Sequence, residues 1–298
     1  MRIITRPDFD GIVCAVLLYD ILNISEPVRW VEPYEMEIEA SKIKEGDIIA
    51  NLPYAENCSL WFDHHISNQI DKSFNGAFKI APSAAGIIYE YYKNQFSRDF
   101  NELISEVDKI DSADFSIEEI LYPERFPYIM LYLTISNINK TDELYWNKLI
   151  NMLAKYDIDI IMANKEVQER CNLVIKQNKK YKEHIEKYTT INKKITITDF
   201  RSFNIAPKGN RFLIYSIFPE SIVSVKIRFD KDNKEKVILS LGQNIFNRKC
   251  KINLGTLAAK YDGGGHQGAG SCSFHINDSE KKIAEIIEIL KKNEDIDI

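Results

Sequence analysis

Ser59-Leu60-Trp61-Phe62-Asp63-His64-His65 is the stretch of sequence that decides the fold. Its apolar run predicts a buried strand, and that strand delivers a carboxylate and two imidazoles to the point where it ends. A lone histidine beside such a strand is usually a satisfied core residue, whereas two adjacent histidines after Asp63 are costly to bury without a metal or anion partner. The triplet therefore favours a site that ligates a divalent metal and holds a phosphate.

The sequence around this stretch alternates short apolar runs with helical patterns. We expect a mostly buried helix at residues 11–22 and strands at residues 2–5, 28–31, 47–50 and 60–62. Strands separated by helices indicate a parallel sheet. Helical patterns follow at residues 83–96, 101–110, 126–135 and 142–155, so we expect the first domain to end in a helical cap.

The second half of the chain begins with a long amphipathic helix at residues 165–188, where apolar positions recur every three or four residues. Helices are predicted at residues 253–261 and 279–292, and strands at residues 195–198, 212–217, 222–229, 236–241 and 271–275. The predicted fold class is α/β, in three parts. These are a parallel-sheet domain with its helical cap and connecting helix at residues 1–185, a linker at 186–194, and a smaller mixed-sheet α/β domain at 195–298.

Composition limits the class of protein. A chain of 298 residues with 45% apolar residues supports two domains with hydrophobic cores. No run approaches the roughly 18 apolar residues of a membrane span, and the amino terminus lacks a signal pattern. We therefore expect a cytoplasmic protein with no membrane partner. The five cysteines are odd in number and widely spaced, which indicates reduced core residues rather than disulfides or a zinc site.

The net charge of −5 is unevenly distributed. Residues 195–275 contain 12 Lys or Arg against 6 Asp or Glu, so an anionic ligand is expected in this segment. Ordinary solvated lysines would explain the same imbalance. Because the segment lacks a dense basic stripe, we expect no binding of duplex DNA.

Aspartates form two further clusters. Asp8 and Asp10 stand where the first strand ends and a helix begins, where capping of the helix is the ordinary structural explanation. A site becomes more plausible because an open parallel sheet places ligands beyond the carboxyl ends of its strands. Asp108, Asp111 and Asp114 are spaced by three residues on one helical face, which a solvated surface would explain equally well.

A glycine-rich run, Gly263-Gly264-Gly265-His266-Gln267-Gly268-Ala269-Gly270, formally contains G-x-G-x-x-G. That signature must follow a strand and open a helix, whereas this run follows a predicted helix and opens a strand, so a dinucleotide site is excluded. One glycine would suffice to end the helix. Three glycines and a histidine instead predict a loop whose amides approach an anion while His266 donates a hydrogen bond.

Taken in order, Asp8-Phe9-Asp10-Gly11, Asp63-His64-His65 and Gly263-Gly264-Gly265-His266 resemble the motifs of the DHH phosphoesterase family with its DHH-associated carboxy-terminal domain. The resemblance spans most of the chain, and the exopolyphosphatase-related branch is the nearest in appearance. It implies a parallel-sheet DHH domain that holds two manganese ions, a linker, and a smaller substrate-binding domain. The family's substrates include polyphosphate, short oligonucleotides and cyclic dinucleotides.

The resemblance also implies roles for single residues. Asp63 and His65 would be catalytic residues, and we add Arg6, which departs from the family pattern, as a third. The implied metal ligands are Asp8, Asp10, Asn51, His64 and Asp111. The implied substrate-binding residues are Gly264, Gly265, His266, Arg248 and Arg228, although Arg228 would serve equally well as an exposed strand residue.

This chain departs from the family pattern on one side of the site. Arg6 and Ile4 stand where the family places a metal-binding histidine, and Asn51 stands where a bridging aspartate is expected. A guanidinium cannot ligate, and an amide binds manganese less strongly than a carboxylate. We therefore hypothesise a single-metal or strongly asymmetric site. Arg6 would supply part of the electrostatic role of the lost ion, since its fork suits phosphate oxygens.

Two functions from different classes follow. The first is a manganese-dependent phosphoesterase, with one or two ions and Mg²⁺ as an alternative metal, that hydrolyses a phosphoanhydride or phosphodiester by metal-activated water. Its partner would be a small phosphorylated substrate or a short single-stranded oligonucleotide, and the chain could form a homodimer. The second is a catalytically weakened nucleotide-binding or regulatory protein that retains the site. Hydrolysis that depends on His64 would separate the two.

Overall fold

In a computed structural model of the chain, residues 1–135 and 142–294 are described and form two compact units. Unit 1 consists of Met1–Phe115 and Pro123–Asn172, and unit 2 consists of Ser116–Tyr122 and Leu173–Ile298. The domain boundaries drawn from the sequence stay a prediction. No helix among the described residues is both long enough and apolar enough to cross a membrane.

Unit 1 is built on a five-stranded parallel sheet. Its strands are β1 (Arg2–Thr5), β2 (Arg29–Trp30), β3 (Asp47–Ala50), β4 (Leu60–Asp63) and β5 (Gly76–Phe78). They lie in the order β2-β1-β3-β4-β5, and every neighbouring pair is parallel. All four residues of β3 are buried, as are Trp61 and Phe62 of β4. Continuous apolar strands of this kind are typical of a parallel sheet covered on both faces.

Unit 1 also contains a set of helices. They are α1 (Phe9–Ile21), α2 (Met36–Glu39), α3 (Ala84–Tyr91), α4 (Asn101–Asp111), α6 (Pro127–Leu133), α7 (Glu143–Leu153) and α8 (Ile158–Met162), whereas α5 (Ile117–Leu121) belongs to unit 2. Helices α1 and α3 pack on the sheet, and the other helices of the unit surround them. The first ten residues of α1 are buried on every side, and the helix packs against α3, α4 and α7. An all-round apolar helix is stable only in such a position. The 24-residue helix α9 (Lys165–Tyr188) continues from unit 1 into unit 2.

Unit 2 is built on a mixed six-stranded sheet. Its strands are β6 (Thr189–Asn192), β7 (Ile195–Asp199), β8 (Val223–Phe229), β9 (Lys236–Gln243), β10 (Gly264–His266) and β11 (Ala269–His275). The order is β10-β11-β9-β8-β7-β6, in which only the pair β7 and β8 is parallel. Alternate apolar residues of the central strands form a core with α11 (Leu254–Ala259) and α12 (Ile276–Lys292). The α/β class, with one parallel and one mixed sheet, is therefore confirmed.

Two predicted elements of unit 2 are wrong. Residues 212–217, predicted as a strand, contain the short helix α10 (Leu213–Ile217), in which Leu213, Ile214 and Tyr215 are all buried. A short, largely apolar run fits a buried helical turn as well as a strand, so periodicity could not decide. The glycine-rich run, predicted as a loop, forms strand β10 and a tight turn into β11. Gly265 has φ +151°, and a Cβ there would lie 2.1 Å from the Ala269 carbonyl oxygen, so the pairing requires glycine.

Candidate active site

The predicted metal ligands of unit 1 gather at the carboxyl edge of the parallel sheet. Asp8 follows β1, Asn51 follows β3, and His64 follows β4. Because the carboxyl ends of parallel strands meet at one edge, residues distant in sequence become neighbours there. Asp111, the last residue of α4, reaches the same edge, with its Oδ2 at 3.3 Å from the Nε2 of His64.

Asp10 is buried in the first turn of α1, and the amino terminus of α3 holds it. Its Oδ1 accepts a hydrogen bond from the Ala85 amide at 2.8 Å, and its Oδ2 accepts one from the Ala84 amide at 3.0 Å. Ser83 caps α3 by accepting a bond from the Gly86 amide at 2.9 Å. Burial raises the pKa of Asp10, although the imidazole of His64 and the two amides act in the opposite direction. The carboxylate is therefore fixed in one orientation.

His64 has the orientation of a metal ligand. Its Nδ1 lies 2.9 Å from the Ala81 carbonyl oxygen, which can only accept a hydrogen bond, so Nδ1 carries the proton and the ring's free lone pair lies on Nε2. Nε2 lies 3.9 Å from Asp10 Oδ2 and is buried, with no hydrogen-bond partner in the described part of the chain. Ligand atoms of Asp10, His64 and Asp111 all lie within 4.8 Å of one another. One imidazole and two carboxylates fit a divalent cation, and we call these three residues the histidine half of the site.

Asp63 and His65 form a second pair on the same loop. Asp63 is fully buried, and its Oδ1 lies 2.8 Å from His65 Nδ1. Its Oδ2 accepts a bond from Asn68 Nδ2 at 2.6 Å. Burial disfavours the charged imidazole of His65, but the hydrogen bond and charge of Asp63 outweigh it, so the pKa of His65 is raised. Asp63 thus orients His65 and favours its protonated form.

On the other side of the site, Arg6, Asp8, Glu32 and Asn51 form a cluster that we call the arginine half. Asp8 is the N-cap of α1, and its Oδ1 accepts bonds from the Gly11 amide at 2.9 Å and from Asn51 Nδ2 at 3.0 Å. Its Oδ2 lies 3.3 Å from Arg6 Nε, which also lies 3.5 Å from Glu32 Oε2. Both oxygens of Asp8 therefore already face cationic or N–H groups of the protein.

Asn51 is buried and adopts the left-handed conformation, with φ 56°. Asparagine tolerates this backbone better than most residues. With its amide nitrogen on Asp8, Asn51 keeps a buried Oδ1 that has no hydrogen-bond partner among the described residues. Asp8 belongs to neither of the two groups of potential metal ligands found in residues 1–135 and 142–294.

The predicted substrate-binding residues all lie in unit 2. Gly264, Gly265 and His266 form β10, and His266 Nδ1 accepts a bond from the Gly268 amide at 3.2 Å. Arg228 lies on β8, and Arg248 donates from Nε to the Ile245 carbonyl oxygen at 3.2 Å. Their roles stay predictions.

Sequence reasoning missed Glu32, Ala81 and Asn68, which contact Arg6, His64 and Asp63 respectively. Glu32 could have been found, because a carboxylate that follows a predicted parallel strand stands at the same edge as the DHH triplet. Ala81 contributes only a backbone carbonyl, for which no side-chain signal exists.

Comparison with solved structures identifies the class of protein to which this chain belongs. No family model and no curated protein matches the chain. A solved pGpG-specific phosphodiesterase, PggH from Vibrio cholerae, is 32% identical with a TM-score of 0.84, and the match covers 98% of this chain and 99% of that one. Two more distant structures share the fold. An exopolyphosphatase-related protein from Bacteroides fragilis is 13% identical (TM-score 0.57, 98% and 92% coverage), and RecJ with Mn²⁺ from Thermus thermophilus is 10% identical (TM-score 0.58, 98% and 52% coverage).

The fold, the cluster at the carboxyl edge and this full-length similarity define a phosphohydrolase. The chain belongs to the DHH phosphoesterase family.

Proposed function

We propose that this protein is a metal-dependent phosphodiesterase that hydrolyses short linear oligonucleotides, with the dinucleotide pGpG as the leading substrate. The observation that carries the proposal is the buried, unpartnered Nε2 of His64 between two carboxylates, which is the geometry of a cation ligand rather than of a structural histidine. The choice of substrate rests on the 32% identity to the pGpG-specific enzyme over nearly the whole of both chains.

We propose one divalent ion, Mn²⁺ or Mg²⁺, in the histidine half, with Asp10, His64 and Asp111 as ligands. Asn51 Oδ1 is a fourth, neutral candidate, since it is buried without a partner among the described residues. When bound, such an ion neutralises phosphate charge and lowers the pKa of water. A second ion is disfavoured because Asp8 already faces Gly11, Asn51 and Arg6, and displacing the buried Asn51 amide would leave its N–H groups unsatisfied.

The other residues of the site would orient and stabilise the reacting phosphate. His65, held by Asp63, donates from Nε2 in its protonated form to a phosphate oxygen. The Arg6 guanidinium, 32% exposed, offers its remaining N–H groups to a second phosphate oxygen while it stays paired with Asp8 and Glu32. Hydrolysis adds water across the phosphodiester: one P–O bond breaks, one forms to the water oxygen, and pGpG yields two GMP.

The direct test is hydrolysis by the purified full-length chain in Mn²⁺. We expect release of GMP from pGpG, little release of phosphate from polyphosphate, and loss of both in EDTA. His64→Asn is the informative variant, and His184→Asn is its control, because His184 belongs to unit 2 and packs in an aromatic cluster with Tyr188 and Phe203. No release of GMP, or release that His64→Asn leaves unchanged, would reject the proposal.

The second candidate, a weakened nucleotide-binding protein, is favoured by one observation. Asp8, which the family resemblance implies as a metal ligand, is already hydrogen-bonded to Asn51 and paired with Arg6. In that case the chain binds pGpG in the assay above without releasing GMP.

A further inference from the structure

One member of the aspartate cluster on α4 has no role in the site described above. Asp108 stands one turn before Asp111, which is the residue that α4 contributes to the histidine half. Residues three apart share a helix face, so the two carboxylates project from the same side of α4. Asp111 approaches His64, whereas Asp108 Oδ1 accepts a hydrogen bond from Ser83 Oγ at 2.5 Å. Asp108 therefore contacts the residue that caps α3.

The Ser83 hydroxyl links Asp108 to Asp10 through the amino terminus of α3. Its oxygen accepts a hydrogen bond from the Gly86 amide at 2.9 Å, while its proton is donated to Asp108. The first two amides of the helix donate to the two oxygens of Asp10. A hydroxyl that donates and accepts at once is fixed in rotation. Asp108 thus fixes the residue directly before the two amides that hold Asp10.

The absence of a side chain at Gly86 makes room for this contact. A Cβ at this position would lie 2.8 Å from Asp108 Oδ1 and 3.2 Å from Ser83 Oγ, both closer than ordinary van der Waals contact. Glycine inside a helix is less favourable than alanine, because its unfolded backbone is more flexible. The space that this unfavourable glycine leaves is occupied by the Asp108 carboxylate. The glycine in α3 and the aspartate in α4 are therefore matched to each other.

A charged group at this place is disfavoured by its surroundings. Asp108 is half-buried, and burial raises its pKa, while the hydrogen bond from Ser83 and the charges of His64 and Lys79 oppose the shift. The positive end of α3 also favours a carboxylate beside its first turn. A side chain that served only the packing of α3 on α4 would need no charge and no acceptor oxygen there. The hydrogen bond to Ser83 is therefore the feature that needs a function.

We propose that Asp108 is a positioning residue for Asp10, and that it acts through Ser83 and the first two amides of α3. Asp108 belongs to neither group of potential metal ligands in residues 1–135 and 142–294, so its effect on an ion is indirect. By fixing the cap of α3, it keeps the Asp10 carboxylate in the orientation that binds the ion, which lowers the cost of binding. The inference rests on the proposed function in one respect, that Asp10 is a metal ligand.

Two variants of Asp108 separate its hydrogen bond from its charge. Asp108→Ala removes the acceptor for Ser83, whereas Asp108→Asn removes the charge and retains an acceptor oxygen. Asp114→Ala is the matched control, since Asp114 is an exposed aspartate of the same cluster whose carboxylate forms no hydrogen bond or ion pair with any described residue. We expect Mn²⁺ affinity, measured by calorimetry, to fall about fivefold in Asp108→Ala, which is less than for a group that contacts a ligand directly. Asp108→Asn and Asp114→Ala should bind Mn²⁺ as the wild type does.

Two further measurements test the order of the contacts. Because Asp108 acts through Ser83, the double variant Asp108→Ala with Ser83→Ala should bind Mn²⁺ no more weakly than Ser83→Ala alone. Gly86→Ala should weaken Mn²⁺ binding as Asp108→Ala does, although alanine is the better helix former, because the new Cβ displaces the carboxylate. In EDTA, hydrogen exchange of the amides at residues 84 and 85, measured by mass spectrometry, should be faster in Asp108→Ala than in the wild type, with α5 unchanged.

The positioning role is overturned if folded Asp108→Ala binds Mn²⁺ and exchanges these amides as the wild type does. It is also overturned if Asp108→Asn is as impaired as Asp108→Ala, since the charge rather than the hydrogen bond would then act. A lower melting temperature of Asp108→Ala with unchanged Mn²⁺ affinity would leave Asp108 with a structural role only. If the wild type binds no Mn²⁺ while amide exchange in EDTA responds as expected, the proposed function fails and the link from Asp108 to Asp10 stands.

Discussion

The two halves of the site at the carboxyl edge of unit 1 solve the same electrostatic problem in different ways. In the arginine half, the Asp8 carboxylate is balanced by Arg6 and by the amide groups of Gly11 and Asn51. In the histidine half, Asp10 and Asp111 converge on an imidazole nitrogen that has no partner among the described residues. Buried polar groups are normally paired, so the Asp8 carboxylate is already satisfied by protein groups, whereas His64 Nε2 and, in the arginine half, Asn51 Oδ1 lack a hydrogen-bond partner among the described residues and can accept a ligand.

The pKa shifts of the two buried aspartates show the same contrast between the halves. Burial raises the pKa of Asp8, while Arg6 opposes the shift. Burial also raises the pKa of Asp10, where only histidines and two backbone amides oppose it. A permanent cation therefore opposes the desolvation of Asp8, whereas histidines and backbone amides oppose that of Asp10, which agrees with the cation proposed for the histidine half.

Removal of the imidazole ligand should have the largest effect on this comparison. His64→Asn removes the Nε2 atom while it retains a polar side chain of smaller size. We expect Mn²⁺ content to fall to background and GMP release to fall by at least about 100-fold, because loss of a ligand exceeds the effect of its supporting residues. His184→Asn should retain both. Mn²⁺ content is measured by mass spectrometry of the dialysed protein. Normal content in His64→Asn would mean that the histidine half does not bind the ion through His64.

The second prediction concerns the arginine half alone. Asn51→Asp replaces the amide that donates to Asp8 with a carboxylate, so two buried acidic groups face each other. In EDTA we expect the variant to lose about 2 kcal/mol of stability. Added Mn²⁺ should raise its melting temperature by more than it raises that of the wild type. Equal melting temperatures for the two proteins in EDTA would mean that the Asn51–Asp8 hydrogen bond does not stabilise the fold.

A double substitution should convert the arginine half into a second ion site. Arg6→His with Asn51→Asp supplies the ligand types that the family pattern has at these positions. We expect the bound Mn²⁺ to rise from one ion to two per chain and GMP release to rise about tenfold, since a second ion shares charge neutralisation. If the wild-type protein already holds two tightly bound ions, the single-ion proposal is wrong.

The smallest effect tests how α3 supports the histidine half. Ser83→Ala removes the cap of the helix whose first amides hold Asp10 and should cost about 1 kcal/mol of stability. Ser116 caps α5 in unit 2 by the same kind of bond to a helix amide, so Ser116→Ala controls for the loss of a cap, although Ser83 Oγ also donates to Asp108 Oδ1 at 2.5 Å. Mn²⁺ affinity should fall severalfold in Ser83→Ala only. An equal change in both variants, measured by calorimetry, would assign the effect to stability rather than to Asp10.

Much of unit 1 could be predicted because its signals are local. The bounds of β1, β3 and α9 agree with the predicted ranges, since continuous apolar runs and three-four spacing leave little choice. The proximity of Asp10 and His64 also followed from the sequence, because both stand next to the carboxyl ends of parallel strands. The sequence evidence for Asp111 as a site residue was weaker, since its spacing from Asp108 and Asp114 fits a surface helix equally well.

Other features could not be predicted, because they depend on backbone groups and on the packing of helices. The Ala81 carbonyl selects the lone pair of His64, and the amides of Ala84 and Ala85 fix Asp10. In unit 2 the apolar run that forms α10 gave no periodic signal. The contact of Asp108 with Ser83 exists only once α3 and α4 are packed together.

By itself the sequence determined the α/β class, the family motifs and the departure at Arg6 and Asn51, because residue type and strand or helix periodicity are properties of short segments. Only the tertiary structure decided which carboxylate is paired with a protein cation and which lies beside an imidazole nitrogen that has no hydrogen-bond partner among the described residues. Asp8 and Asp10 are two residues apart and chemically identical, yet one meets a guanidinium and the other meets a bare imidazole nitrogen. Arg6 stands two residues before Asp8 in the same loop, but the imidazole that meets Asp10 follows β4 and the amides that hold it begin α3, an arrangement that no short segment encodes.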